Sequence, residues 1–373
     1  MRRGTVAYLV LLLIGATLYY ELKRATPNLR FRFDGENHQT LRKSDLVYSK
    51  KSLSESGITR LNLDACYGEV EVVKEEGLTA VTVEATVGVP KGKSFELRSY
   101  REGSTLTVGF PEGYNPDGDL IVEIGYKVRV PEPIELRLNH RYGTALLSDL
   151  KGVEIDDRFS RIELSQIDSL KGTLKNGSAT IDGVGGDVSL DASFGELTLE
   201  NVKGTVKLTS RHSTGTELSN IDGDLIFEGK YSPLRITRVK GTTKITDSYQ
   251  SVDIEDCGTV EFTGDYGKIG IIRSPRFLLK GGNNALSSEE VKEIRVEGKY
   301  NRVSGDADFL TLSGRADNVV ATLKGADITE EGGKLSLEFP DLTLSSRFDL
   351  IDTASTLEFG PSQKIRFQVE SYM

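Results

Sequence analysis

The chain has no tryptophan, two methionines, two cysteines, three histidines and ten prolines in 373 residues. Each scarcity removes a class of protein. His38, His140 and His212 stand singly, with no His-x-x-x-His spacing, and the cysteines form no Cys-x-x-Cys, so the usual zinc-site grammar is missing. Helical periodicity is scarce. No Gly-x-Ser-x-Gly elbow occurs, and the Gly281-Gly282 pair is not set between a strand and a helix, so neither a hydrolase nucleophile nor a phosphate-cradling loop is indicated. The net charge of −9 comes from 47 basic and 56 acidic residues mixed along the chain, without a basic stripe, so nucleic acid is not an expected partner. What is abundant is glycine, 39 residues, together with short alternating runs of Val, Ile, Leu and Thr, as an all-β chain with many turns requires.

Thr5 to Tyr20 is a nearly uncharged apolar run that belongs in a membrane. It falls short of the roughly 20 residues of a standard spanning helix. Gly15-Ala16-Thr17 makes a poor cleavage site, whereas Tyr19, Tyr20, Lys23 and Arg24 resemble an interfacial belt, which favours a retained anchor over a cleaved signal. Arg2 and Arg3 argue for a cytoplasmic N-terminus; Lys23, Arg24, Arg30 and Arg32 lie on the other flank, and the positive-inside rule counts both. No cysteine follows the run directly, which excludes a lipoprotein anchor. Residues 1–24 are therefore read as membrane segment and 25–56 as a polar juxtamembrane stalk. Residues 57–140 read as an N-terminal β region that caps the repeats beyond it.

From Arg141 a repeat takes over. Corners fall at Tyr142-Gly143, Phe159-Ser160, Asn176-Gly177, Phe194-Gly195, His212-Ser213, Tyr231-Ser232, Tyr249-Gln250 and Tyr266-Gly267, about 17.7 residues apart, and continue through Asn283, Tyr300 and Asp317. A second marker, an apolar residue two before a glycine, recurs with the same period at Leu150/Gly152, Leu170/Gly172, Val184/Gly186, Val202/Gly204, Ile221/Gly223 and Val239/Gly241. Apolar pairs about nine residues apart, such as Val188/Leu190, Leu197/Leu199 and Val206/Leu208, give each coil two strands with one face inward. Such a unit buries its inward residues only by stacking on its neighbours. The fold class expected is all-β: a right-handed parallel β-solenoid of about 18 residues per coil, with one N-terminal membrane helix. A left-handed three-sided helix is excluded because its apolar position recurs every six residues. Residues 141–335 make roughly eleven coils, and 336–373 are expected as C-terminal capping strands. Inward positions include Ile162, Leu164, Leu225, Phe227, Leu234, Ile236, Val252, Ile254, Val260 and Phe262 besides the three pairs above.

Tyr67-Gly68-Glu69-Val70-Glu71-Val72, then Ile124 to Pro131 leading into Leu136-Arg137-Leu138-Asn139-His140-Arg141-Tyr142-Gly143, resembles the bacterial putative adhesin family of β-strand-repeat domains. The likeness covers roughly residues 58–320 and lies in turn grammar. It implies a solenoid fold and a cell-envelope setting, and brings no catalytic residues. Arg-Tyr-Gly at 141–143 departs from the commoner Asn-Gly or Ser-Gly.

Candidate chemistry is thin. His212 occupies an aromatic corner slot and is read as structural; His38 and His140 are expected at the surface. Gly185-Gly186-Asp187-Val188-Ser189-Leu190-Asp191 is similar to a calcium-binding nonapeptide, but the next half-coil, Gly195-Glu196-Leu197-Thr198-Leu199, lacks the second glycine and the aspartate, so calcium is not expected. Asp156/Asp157, Asp253/Glu255/Asp256 and Glu289/Glu290 read as solvated outward-facing carboxylates. Cys66 and Cys257 are expected as separate thiols, at least six coils apart, with Cys257 in the apolar slot before Gly258. No catalytic, cofactor or metal residues are assigned. The function indicated is a membrane-anchored, extracytoplasmic, non-enzymatic interaction or scaffold module contacting a protein, a polysaccharide or the wall. The rivals are a β-helix carbohydrate-active enzyme, weakened by the absence of tryptophan and of long loops, and a cytoplasmic-facing regulatory module.

Overall fold

A computed structural model describes residues 29–30, 41–42, 45–115, 122–339, 346–350 and 356–359. The apolar run at 5–20 and His38 lie outside the described residues. Among the described residues no helix is long and apolar enough to cross a membrane.

The chain is an all-β parallel solenoid of about 12 turns. Each coil contributes one strand to each of two sheets, and strands one coil apart pair in parallel. In the first sheet the inward rung runs Ala145, Ile162, Ala179, Leu197, Thr216, Leu234, Val252, Ile269, Leu286, Val303, Val319 and Leu335. These twelve rungs are separated by steps of 16 to 19 residues. In the second sheet Leu138, Ile155, Gly172, Leu190, Leu208, Phe227, Ile245, Phe262, Leu279, Val296, Leu312 and Ile328 stack in the same way. The two inward faces close on each other as a single continuous apolar core. Every inward position expected from the sequence is buried, from Ile162 to Phe262.

The stacking starts earlier than the periodicity indicates. Strand Arg60–Lys74 already rounds a corner at Tyr67, its first half pairing with Glu135–Arg141 and its second with Thr144–Leu150. Between Lys74 and Glu135 the chain leaves the coil to build a cap. Val81–Pro90 pairs antiparallel with both Leu46–Glu55 and Glu123–Val130, and Arg98–Glu102 pairs antiparallel with Thr105–Gly109. Thr105–Gly109 and Glu123–Val130 cover the two free edges of the first coil, which would otherwise offer unpaired backbone to another chain. Tyr126 locks this cap: its buried hydroxyl donates to the Asp64 and Val108 carbonyls at 2.9 and 3.2 Å. The stretch read as stalk thus ends in a paired strand, Leu46–Glu55, whose polar outer face hid it from a search for apolar alternation.

Two further registers differ. Leu170 does not share the slot of the other apolar-before-glycine markers: it pairs with Val153 and Val188, and the slot equivalent to Leu150 and Val184 belongs to Ile167. The corner expected at Asp317 falls at Ala316, because that coil is one residue shorter. At the C-terminus, Arg347–Leu350 and Thr356–Phe359 extend the parallel ladders. Cys66 and Cys257 are both free and buried. Burial pushes the Cys257 thiol up to about 11.

The facing is tested by a pair of neighbouring substitutions, since Leu208 is buried and Lys207 exposed. Leu208→Asp is expected to destabilise by about 3–5 kcal/mol, by burying an unpaired charge, and Lys207→Asp by less than about 0.5 kcal/mol. Equal shifts in urea midpoint would refute the assignment.

Candidate functional site

The most distinctive surface is the corner marked by aromatic residues. To reverse between sheets at this corner, each coil puts one residue in the left-handed backbone region: Tyr67, Tyr142, Phe159, Asn176, Phe194, His212, Tyr231, Tyr249, Tyr266, Asn283, Tyr300 and Ala316 have φ of 54–65°. Bulky L-residues pay sterically for this conformation, by about 1–2 kcal/mol each. Stacking offsets it. Tyr67, Tyr142 and Phe159 lie ring on ring at 4.7 and 4.9 Å, and Phe194, His212, Tyr231, Tyr249 and Tyr266 follow at 5.2, 5.3, 5.5 and 4.9 Å. Such contacts contribute roughly 0.5–1.5 kcal/mol beyond area burial. Asn176 and Asn283 interrupt the ladder, and asparagine tolerates the left-handed region unaided. Within a run the faces are covered by neighbours and the ladder presents ring edges to solvent; Phe194 beside Asn176, and Tyr300 between Asn283 and Ala316, are more than half exposed. His212 is a rung of this ladder, as its slot in the repeat indicates.

The residue after each corner aromatic points inward and answers a backbone need. Its N–H donates to the side chain of its counterpart one coil on: Ser213 to Ser232 Oγ at 3.1 Å, Ser232 to Gln250 Oε1 at 3.0 Å, Gly267 to Asn284 Oδ1 at 2.8 Å, Asn284 to Asn301 Oδ1 at 3.1 Å, and Asn301 to Asp317 Oδ1 at 2.6 Å. Asp317 completes the series on Glu330 Oε1 at 2.9 Å. Buried donors must be satisfied, which is why this slot holds Ser, Gln, Asn or Asp. It otherwise holds Gly: a Cβ on Gly195 would sit 2.1 Å from the Gly177 carbonyl.

Two expectations are corrected here. His140 is fully buried, its Nδ1 3.0 Å from Asp157 Oδ1 and its Nε2 3.4 Å from the Gly68 carbonyl. Asp157 is buried with it, while Asp156 faces out. Strand alternation puts both at inward positions, and each is tolerated there because the other supplies its partner. The other carboxylates read as outward-facing, Asp253, Glu255, Asp256, Glu289 and Glu290, are at the surface. Asp256 Oδ1 accepts from Arg273 Nε at 2.6 Å, a bond that holds its carboxyl below the usual range, and Glu255 pairs with the same guanidinium. Asp187 Oδ1 accepts the Thr205 N–H at 2.8 Å, so it staples one coil to the next. Among the described residues no three His, Cys, Asp or Glu side chains gather as metal ligands.

Parallel register also creates what the sequence reading denied, a basic row. Arg141, Arg158, Lys175, Ser193, Arg211 and Lys230 are successive partners on the outer face, each immediately before a corner residue, and Lys299 and Arg315 occupy the same slot further on. Among the described residues Arg158, Lys175, Arg211 and Lys230 have no carboxylate within ion-pair distance. Their charges vanish in a mixed average along the chain. The available signal was the fixed slot, a cation before Tyr142, Phe159, Asn176, His212, Tyr231 and Tyr300. An open cavity of about 570 Å³ over the outer face of the second sheet near the cap is less distinctive. Its charges are largely matched, with Arg60 Nε 2.8 Å from Glu135 and Lys171 3.1 Å from Glu154.

No family model matches the chain, and no curated protein matches it. Solved structures similar to it include a putative cell adhesion protein from Clostridium sporogenes, 10% identical over 56% of this chain and 98% of that one, with a TM-score of 0.24. Two others are putative adhesins. That from Parabacteroides merdae is 12% identical over 84% and 96% of the two chains, with a TM-score of 0.20. That from Parabacteroides distasonis is 14% identical over 85% and 98%, with a TM-score of 0.23. Superposition this loose carries no argument about function, which rests on the geometry above.

Inside the corner, Asp247 Oδ1 accepts the Ser248 N–H at 2.5 Å while its Oδ2 has no partner among the described residues. Burial pushes its carboxyl up to about 7, and does the same to Asp317. A folded pKa above the unfolded value near 3.9 stabilises the fold fully below about pH 4, and that contribution is lost as pH rises to about 7. Asp247→Asn is therefore expected to be more stable than the parent by about 2 kcal/mol at pH 8, and no more stable at pH 4, in urea titrations. A pH-independent difference would contradict this.

Proposed function

We propose that the chain is a non-enzymatic, adhesin-like interaction module of the cell envelope. In this reading residues 5–20 anchor it in the membrane, the right-handed solenoid stands on the extracytoplasmic side, and the aromatic corner is the contact surface. The observation that carries the proposal is the exposed aromatic ladder itself. A row of half-exposed rings over most of the coils is an unusual amount of apolar surface to leave in water, and such surfaces mark interaction sites. Its regular spacing suits an extended partner better than a small molecule, since each coil repeats the same contact. The carbohydrate-active enzyme remains the rival from another class; it requires carboxylates facing a sugar-binding cleft, whereas the buried Asp157 is engaged by His140.

The test uses Tyr231→Asn, Tyr249→Asn and Tyr266→Asn together, because asparagine already serves at Asn176 and Asn283 and keeps the coil. Binding of the full chain to isolated cell walls and to intact cells is expected to fall at least tenfold with circular dichroism unchanged. Protease added to intact cells is expected to cut the chain on the outside. Unchanged binding by the folded triple variant would sink the proposal.

A further inference from the structure

We propose that the occupant of the aromatic corner is a linear acidic polysaccharide, held by the basic row that runs beside the ladder. This rests on the corner being the contact surface, and adds the chemistry of the partner. The chain as a whole carries −9, yet along this edge Arg141, Arg158, Lys175, Arg211 and Lys230 stand in one row, one per coil and interrupted once by Ser193. Coils repeat at about 4.8 Å, so the cations form a line rather than a cluster. A small anion needs donors that converge; collinear donors match a polymer with a charge on each monomer. Arg211 and Lys230 are exposed, Arg158 and Lys175 half-buried, and Arg158 Nε has no hydrogen-bond partner among the described residues.

The neighbouring rungs select the kind of polymer. Within each stacked run neighbours cover the ring faces at 4.7–5.5 Å, so a nucleobase could stack only at the run ends Phe159, Phe194 and Tyr266 and on Tyr300, not along the ladder. The exposed edges of Tyr231, Tyr249 and Tyr266 can instead exchange hydrogen bonds with sugar hydroxyls. Asp156, Asp191 and Glu228 lie two residues before Arg158, Ser193 and Lys230 on the same outer face. They border the cationic line with negative charge and disfavour a polyanion as dense as a phosphodiester chain. A polyuronate, with one carboxylate per sugar, fits a strip of this width and charge.

Fluorescence anisotropy of the full chain in detergent micelles, titrated against labelled oligogalacturonate, tests the assignment. Dextran and single-stranded DNA serve as the neutral and nucleic-acid probes. Arg158→Gln, Arg211→Gln and Lys230→Gln together are expected to weaken oligogalacturonate binding at least tenfold. The control Lys207→Gln, Lys244→Gln and Arg276→Gln removes the same charge from other rows of that sheet and is expected to change it less than twofold. Equal loss in both variants, tighter binding of DNA, or no binding of oligogalacturonate would each overturn the inference. If wall binding still depends on the aromatic ladder while oligogalacturonate fails to bind, this inference falls and the corner's role as contact surface stands. If wall binding ignores the ladder, the role itself falls.

Discussion

The left-handed corner residue is the constraint on which the rest of this molecule depends. A coil of 16 to 19 residues with two strands has only a few residues in which to turn, and it turns by putting a non-glycine residue at positive φ, twenty times among the described residues. Each such residue is sterically costly, so the fold persists only if something common to all coils offsets the cost. Parallel register supplies it, by setting every corner directly above the one before. Aromatic side chains then stack at one edge. At the other, polar side chains bond from coil to coil, as Asn220 does to Asn201 at 3.0 Å and Arg238 to Asn220 at 2.6 Å. Glycine would relieve the strain locally but would bring no coil-to-coil contact.

The same register explains the interior. Turning the chain frees a backbone N–H that neither sheet can accept, and the donor is met by the side chain one coil on. The buried Ser, Gln, Asn and Asp positions are therefore part of the scaffold. The line ends in Asp317 and Glu330, two carboxyls buried with free oxygens among the described residues and with burial raising both from their usual values. Acidity at this place follows from a chain of acceptors that must end somewhere.

Much of this was legible in the sequence because a solenoid writes its geometry as a period. The inward pairs such as Val206/Leu208, the corners at Tyr142 to Tyr300, and the buried slot of Cys257 all follow from two short alternations per repeat. What was missed required register rather than period. The inward facing of His140 and Asp157 continues the alternations Leu136/Leu138 and Val153/Ile155, but that each answers the other is visible only from their pairing across adjacent coils. The cations from Arg141 to Lys230 look dispersed until parallel pairing puts them in line. Arg60–Lys74 is a full coil, but the antiparallel cap inserted between Lys74 and Glu135 separates it from the rest by far more than one repeat. Polar strands such as Leu46–Glu55 carry too little alternation to be found without their partners.

Register is accordingly the central claim, and distances between outward positions on one row measure it directly. Thr180, Asp253, Ser287 and Ser304 share the middle outward row of the first sheet, linked through Thr198, Glu217, Arg235 and Gly270. Spin labels at Thr180 paired in turn with Asp253, Ser287 and Ser304 of the full chain are predicted to lie about 19, 29 and 34 Å apart, growing by about 4.8 Å per coil. Separations that do not rise with coil number would contradict the stacked register and everything built on it.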